Sequence, residues 1–492
     1  MMKKIGILFV LIALFGSGLI AQQTRVLTLE DALELAKEQS QAAIRAKHTF
    51  RNSYWQHRTY KAEYLPNLVF SGTTPNFSRA MSPVQQNDGT YRYHQDYSNR
   101  ITGSLSLEQN VPFTGGTLSM GSNLSRTDVL GDNGFIQYMS SPVTLRYSQN
   151  LFGVNPFKWN KKIEPLRYEE AKRTYLYAME NVSLTAINYF FALAEAQQRV
   201  ATAEFNKANT DTLSKIANGR YQRGTIGEDE KLQSELNYMN AIRTYNDAVL
   251  TLQNSKNRMR SFLGFNELVD ISIDIPNEFP RMVLDTEKIM DLAKANSPDM
   301  LAYERQLIEA ERGVAQARAN RGFNATANLE FGLDQRANNL ADVYKNPGDM
   351  ERVSIGLRVP LLDWGRGKGY VKMAQSSQEL VKMQVEQAIS DFEQNVITQV
   401  DQYNKQYDQF EITSKSDSIA RNRYNVAMQR YRIDKITITE MNQAQTDRDN
   451  ARQSYVAAIR NFWQYYYTIR QLTLYDLTEN KPLAADYDQL VE

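Results

Sequence analysis

Cysteine is absent from the 492 residues. That removes disulfides, thiol nucleophiles and cysteine-based zinc sites, and also an N-terminus anchored through a lipidated cysteine. Histidine is scarce. His48 and His57 fall on a polar helical stretch and His94 in an expected loop, with no carboxylate pattern around them. A metal centre is not expected from such a set, nor is any cofactor. Charge of one sign is also missing: 57 Lys and Arg offset 56 Asp and Glu. A nucleic-acid partner needs a basic face to meet phosphate, so that class is excluded. Past the N-terminus there is no apolar run of about 20 residues, which rules out a polytopic helical membrane protein. Membrane contact must come through a β-barrel, whose alternating strands escape hydropathy plots. Proline is absent from Leu166 to Ile275 and from Leu361 to Lys481, leaving room for very long helices.

The N-terminus carries a short basic stretch, Met1 to Lys4. An apolar run from Ile5 to Leu19 follows, then small residues around Gly16, Ser17, Gly18 and Ala21. This is the pattern of a secretory signal over 1–21, cleaved after Ala21.

The chain repeats itself. An offset of 210 carries Arg220-Tyr221 onto Arg430-Tyr431, and Ile226, Glu230 and Gln233 onto Ile436, Glu440 and Gln443. It also carries Val143 onto Val353. The start of each half matches at another offset, 257: Leu35-Ala36-Lys37 onto Leu292-Ala293-Lys294, and Ser40 onto Ser297. The first half therefore holds 47 extra residues between its opening helix and its returning strand. The division is a first repeat at 22–264, a linker at 265–283, a second repeat at 284–478 and a C-terminal tail at 479–492.

Each half reads helix, strands, long helix, long helix. Thr28 or Ser40 opens the first helix, which is predicted to run to about Tyr64, where Pro66 stops it. Asn67 to Phe77 is extended. Ile101, Gly103, Leu105 and Leu107 alternate with polar residues, and so do Leu118, Met120 and Leu124 after a turn at 112–116. In the second half Ala325 to Leu333 and Val353 to Val359 alternate in the same way. One apolar and one polar face per strand suits a barrel with lipid outside and water inside. Val385, Ile389, Phe392, Val396, Val400, Tyr403, Tyr407 and Phe410 recur at three- and four-residue steps, as do Tyr168 to Leu193 in the first half. The run from about Gly367 to Tyr431 predicts one helix of ~95 Å, at ~1.5 Å per residue. Its period fits a solvated coiled coil or a hollow tube of helices packed side by side.

Leu27 to Ala36, Ala62-Glu-Tyr-Leu-Pro66, Val359-Pro-Leu-Leu-Asp-Trp-Gly365 and Arg220 to Gln233, in this order, resemble signatures of the TolC-type outer-membrane efflux family over essentially the whole mature chain. The resemblance implies a mixed α/β membrane protein: a homotrimer sharing one outer-membrane β-barrel above a long periplasmic α-helical coiled-coil barrel. It favours the usual four strands per chain in a twelve-stranded barrel, with the 47 extra residues near the outer surface; lengthening the extracellular end, plugging the mouth and adding strands to the barrel are the roles open to them. Residues 265–283 would belong to an equatorial collar. Partners would be outer-membrane lipid, a periplasmic adaptor protein and an inner-membrane pump of RND or ABC type.

The tips of the two helical hairpins are then the candidate sites. Gly224, Thr225, Ile226, Lys435, Ile436 and Thr437 would dock the adaptor. Glu228, Asp229 and Glu230 sit where acids favour a helix N-terminus, and threefold symmetry would equally make them a cation-attracting ring. By position Glu440 matches the family's first gate acid, or is a surface helix acid. Gln443 stands where some relatives have a second. Asp434 stands where the first tip has Gly224, which predicts a different turn. Tyr431 matches a tyrosine that helps hold the closed state in relatives, or packs between helices. Gly365-Arg-Gly-Lys-Gly369 lacks the spacing of a phosphate-binding loop. No triad or paired catalytic carboxylates occur, so an enzyme is not expected. Drug or small-molecule efflux is the expected role, with type I protein secretion also open. The alternatives are a trimeric coiled-coil surface protein and a porin. A porin is nearly all strand, unlike this chain.

Overall fold

The computed structural model describes residues 24–131, 134–265, 270–276, 279, 281–433 and 435–491. The expected signal sequence and Asp434 lie outside them, as does part of the expected collar.

The first half begins with β1 (Thr24–Leu27), α1 (Leu29–Gln39) and α2 (Gln41–Ala62). Four strands follow: β2 (Asn67–Gln85), β3 (Tyr91–Val111), β4 (Gly116–Val129) and β5 (Phe135–Asn150). Then come α3 (Pro156–Gln222), α4 (Glu228–Leu263) and the short β6 (Asp270–Ile273). The second half holds α5 (Thr286–Asn296), α6 (Pro298–Arg321), β7 (Asn324–Ala337), β8 (Gly348–Arg358), α7 (Arg366–Arg432) and α8 (Ile438–Thr473), closed by β9 (Tyr475–Asp476) and β10 (Lys481–Pro482).

Element bounds follow the sequence offsets closely. Helices α3 and α7 each have 67 residues and are displaced by 210. Helices α4 and α8 each have 36, at the same displacement. At roughly 1.5 Å per residue, α3 and α7 are each about 100 Å long.

The opening helix is not continuous. It breaks at Ser40, whose extended backbone ends α1, while its side chain accepts from the Ala43 amide to start α2. Ser297 divides α5 from α6 at the matching place, accepting from the Asp299 amide. The periodic apolar positions run straight through both breaks, so periodicity could not reveal them. A serine hydroxyl competing for helix amides does explain them.

Six strands form one antiparallel sheet in the order β2-β3-β4-β5-β7-β8. This corrects the expected four. Strands β7 and β8 match β4 and β5 at the 210 offset, so the 47 additional residues are essentially the β2–β3 hairpin and its following turn. The sheet has two chemically distinct faces. One row of register partners reads Leu68, Leu107, Met120, Leu145 and Phe331 across five strands. A neighbouring row reads Leu118, Tyr147, Leu329 and Val353. On the opposite face Arg146, Glu330 and Arg352 are consecutive partners, paired at 2.8 and 3.1 Å. Ser71 and Ser104 share a hydrogen bond on that same face.

Below the sheet the helices bury their stripes sideways. Leu29, Phe190, Phe191, Met259 and Ile271 belong to one core, where β1 pairs in parallel with β6. Val396, Val400, Tyr403, Phe462 and Ile469 belong to a second. Glu180, on α3 and almost fully buried, joins them to polar partners. It pairs with Lys37 of α1 at 3.0 Å and with Arg470 of α8 at 3.0 Å, the latter too bent for a hydrogen bond. The expected tail is not loose: Arg51 donates to the Leu490 carbonyl, and the Tyr487 ring lies 5.2 Å from Phe50.

Removing Glu180 takes from Lys37 and Arg470 the buried carboxylate they share and leaves Arg470 with Asp476. Glu180→Ala is expected to cost about 3 kcal/mol and to lower the midpoint of thermal helix loss, followed by circular dichroism on the solubilised protein. An unchanged midpoint would show that water replaces the carboxylate.

Candidate functional site

Each pair of long helices meets at a tip, and the two tips share one backbone bond. At the first, Gly224 takes a left-handed φ of 70°, and Thr225 returns its amide and hydroxyl to the Arg220 carbonyl at 3.1 and 3.0 Å. No atom stands within 4 Å of a Cβ placed on Gly224, so backbone conformation rather than space selects glycine there. At the second, the Lys435 amide reaches the Arg430 carbonyl at 2.9 Å. This is the same bond at the 210 offset. Asp434 itself, on which the expectation of a different turn rests, lies outside the described residues.

The interior of the tip is aromatic and cationic. Tyr431 is fully buried, packed with Leu213, Tyr424, Ile438 and Met441. Arg220 comes from α3 to meet it: the guanidinium donates to the Tyr431 carbonyl at 3.0 Å and lies 5.2 Å over the Tyr431 ring. One buried side chain thus ties the end of α3 to the end of α7. Arg220 stood out in the sequence only as half of a repeated Arg-Tyr pair. Nothing in its spacing distinguishes a buried arginine from the exposed Arg430 at the matching place. A level deeper, the Arg448 guanidinium lies 4.2 Å over Tyr424, whose hydroxyl accepts from Asn209 at 3.0 Å.

The candidate acids lie outside this interior. Glu228 and Asp229 are exposed and Glu230 half-buried in the first turn of α4, after an N-cap glycine that offers no side-chain acceptor. There the three carboxylates face the positive end of the helix. Glu440 has a definite local task. It forms a capping box with Thr437: the Glu440 carboxylate accepts from the Thr437 amide at 2.8 Å, and the Thr437 hydroxyl accepts from the Glu440 amide at 3.2 Å. The backbone hydrogen bond from Thr437 holds the Glu440 carboxyl below its ordinary range, helped by the hydroxyl. Gln443 donates to Asp447 at 2.7 Å. Ile226 and Ile436 are half-buried, Ile436 against the Tyr431 cluster, whereas Thr225, Lys435 and Thr437 are exposed. The structure brings Tyr431, Ile436 and the Glu440 cap together at one tip. It leaves Glu228, Asp229 and Glu230 on the other.

Known proteins place this arrangement. Residues 289–476 match the family described as outer membrane efflux protein. The toxin and drug export protein A of Aggregatibacter actinomycetemcomitans is 20% identical over 357 residues, 70% of this chain and 72% of that protein. The fold is that of the Campylobacter jejuni CmeC outer membrane channel, with a TM-score of 0.66 at 14% identity, covering 94% of this chain and 88% of that one. It is equally close to the outer membrane protein VceC of Vibrio cholerae, with a TM-score of 0.64 at 13% identity, covering 90% and 95%. The second half of the chain thus matches the outer membrane efflux protein family, and nearly the whole chain shares the fold of solved outer-membrane channels.

Two outcomes are expected at the tips. Thr437→Ala removes a side-chain cap worth about 1 kcal/mol and should speed hydrogen exchange of the Glu440 amide roughly fivefold. Because the folded carboxyl of Glu440 titrates below its ordinary value of 4.5, its contribution is complete above pH 4.5. It is lost as the pH falls from there through the folded value. Protection at the start of α8, taken as the intrinsic exchange rate over the observed rate at each pH, should therefore fall on acidification in the native chain and stay constant in Glu440→Gln. Separately, Arg220→Met keeps the stem but drops the charged hydrogen bonds, each worth roughly 1.5–3 kcal/mol. It should make the 224–227 turn a site of limited proteolysis; equal resistance in both proteins would deny Arg220 its tie.

Proposed function

We propose that three copies of the chain form a passive, gated exit duct of a multicomponent export system. The sheets join in one outer-membrane barrel, and the helices form a periplasmic tube. The tips formed by Gly224 to Ile226 and Lys435 to Thr437 meet a periplasmic adaptor linked to an inner-membrane pump of RND or ABC type.

The observation that carries this reading is the sheet. One apolar row crosses five neighbouring strands and a second crosses four, while arginine, glutamate and serine occupy the other face. A sheet that is greasy on one face and wet on the other belongs in the wall of a lipid-embedded pore. A surface coiled coil has no use for such a sheet. Among the described residues no helix is long and apolar enough to cross a membrane. The printed name of the toxin and drug export relative favours small-molecule or toxin cargo.

The open question at the entrance is selectivity. Glu228, Asp229 and Glu230, repeated three times around the axis, give a concentrated negative ring that draws cations. Glu440 serves first as a cap and adds to the same field. Tyr431, held by Arg220, supports the closed packing of the tip.

Reconstitution into a planar bilayer tests the proposal. Trimeric protein should conduct with a preference for cations. The Glu228, Asp229 and Glu230 triple alanine variant should lose most of that preference while still inserting. Glu440→Ala should alter closure more than ion preference. A folded trimer that inserts nowhere and conducts nothing would overturn the channel and return the coiled-coil surface protein.

A further inference from the structure

We infer that the β2–β3 hairpin is built into the barrel wall, so that each chain supplies six strands and the trimer closes a barrel of eighteen. This rests on the trimeric duct proposed above and sets the bore of its outer-membrane exit.

Three independent observations support it. The first is register. Strand β3 pairs with β4 from Ser98 to Val111 without a shift, and β2 pairs with β3 from Asn67 to Thr73 before its bulge. Leu68 and Leu107 fall in the same row as Met120 and Leu145 of the other strands. A hairpin folded into the lumen or lying over the outside would have no reason to continue the lipid-facing row. Phe70 also covers the bare backbone of Gly72 and Gly103, as outward aromatics do in barrel walls.

The second is the anchoring of the hairpin at the periplasmic rim. The turn after β3 is held from both sides by helix ends. Gln109 and Asn110 donate to the carbonyls of Tyr64 and Glu63, where α2 exits. Asn155, the N-cap of α3, donates to the carbonyls of Pro112 and Phe113 while its oxygen accepts from the Phe157 amide. Gly115 leaves no slack, because a Cβ there would meet Asn155 at 3.0 Å. The turn occupies a fitted place between the two helices.

The third is the edges. With β3 on one side and β5 on the other, β4 has no free edge, which leaves β2 and β8 as the two open ones. Open edges do not occur in hydrocarbon. Each chain enters its sheet at one edge and leaves at the other with an even number of strands. Strand β2 of one copy therefore runs antiparallel to β8 of the next, whatever the number of copies. The 11 residues of β8 span roughly 28 Å along the membrane normal at ~40° tilt, enough for an apolar band of ~25 Å. With strands ~4.8 Å apart and tilted ~40°, eighteen of them give a wall radius of about 18 Å, against about 12 Å for twelve. The exit through the membrane then does not sieve small molecules. It is wide enough for extended or compact polymeric cargo, and discrimination falls to the periplasmic tips.

The cysteine-free chain allows a clean test. Single cysteines are placed on the polar face of β2 at Val69 or Ser71, in combination with β8 at Arg352, Ser354 or Gly356, in the full-length protein in its membrane. At least one combination should give a disulfide-linked ladder ending at three chains. Cysteine at Ser119 of β4, combined with the same β8 positions, should give none. Native mass measurement of the solubilised protein reports the trimer separately, so a missing trimer condemns the duct reading itself. A trimer that cross-links through β4, or through no β2 position, overturns the eighteen-stranded wall while leaving the duct intact.

Discussion

Backbone hydrogen bonding in hydrocarbon constrains everything above the helices. A peptide group in lipid has no water to turn to, so each strand must be paired on both sides. Within one chain that condition is met for β3, β4, β5 and β7 and fails for β2 and β8. In the trimer proposed above, other copies close these two edges. The even strand number keeps the chain ends, and all the long helices, on one side of the sheet. Adding a whole hairpin preserves that parity, whereas adding a single strand would send α3 to the wrong side of the membrane.

Below the sheet the constraint changes. Water is available, so the helices satisfy their own backbones and need only bury a stripe. They do so laterally, and the two cores draw on both halves of the chain. Polar ties hold the stripes in register where packing alone would let long helices slide. Glu180 sits between Lys37 and Arg470 near the upper part of the tube, and Arg220 lies between α3 and α7 at the tip. A buried charged group with fixed partners specifies one alignment more sharply than interchangeable leucines do.

In the proposed duct, function divides between the two-faced sheet and the tips. The tips carry the features that can discriminate: an acidic first turn on one hairpin, a capped acid on the other, and an aromatic interior braced by arginine.

The sequence by itself determined the order of elements, the alternation of the strands and the extent of the long helices. These depend on side-chain period and on where proline and glycine fall, which are local quantities. The 210 and 257 offsets even located the extra segment, and Thr437-x-x-Glu440 could have been read as a capping box from its spacing alone. Tertiary structure decided the rest. Whether 47 residues plug a mouth or widen a wall depends on strand pairing, and alternation is the same in each case. Ser40 breaks a helix whose apolar period does not change, because a hydroxyl's choice of amide leaves no mark on periodicity. Arg220 is buried and Arg430 exposed although the repeat makes them equivalent, because only folding determines which of two identical hairpin ends faces a tyrosine ring.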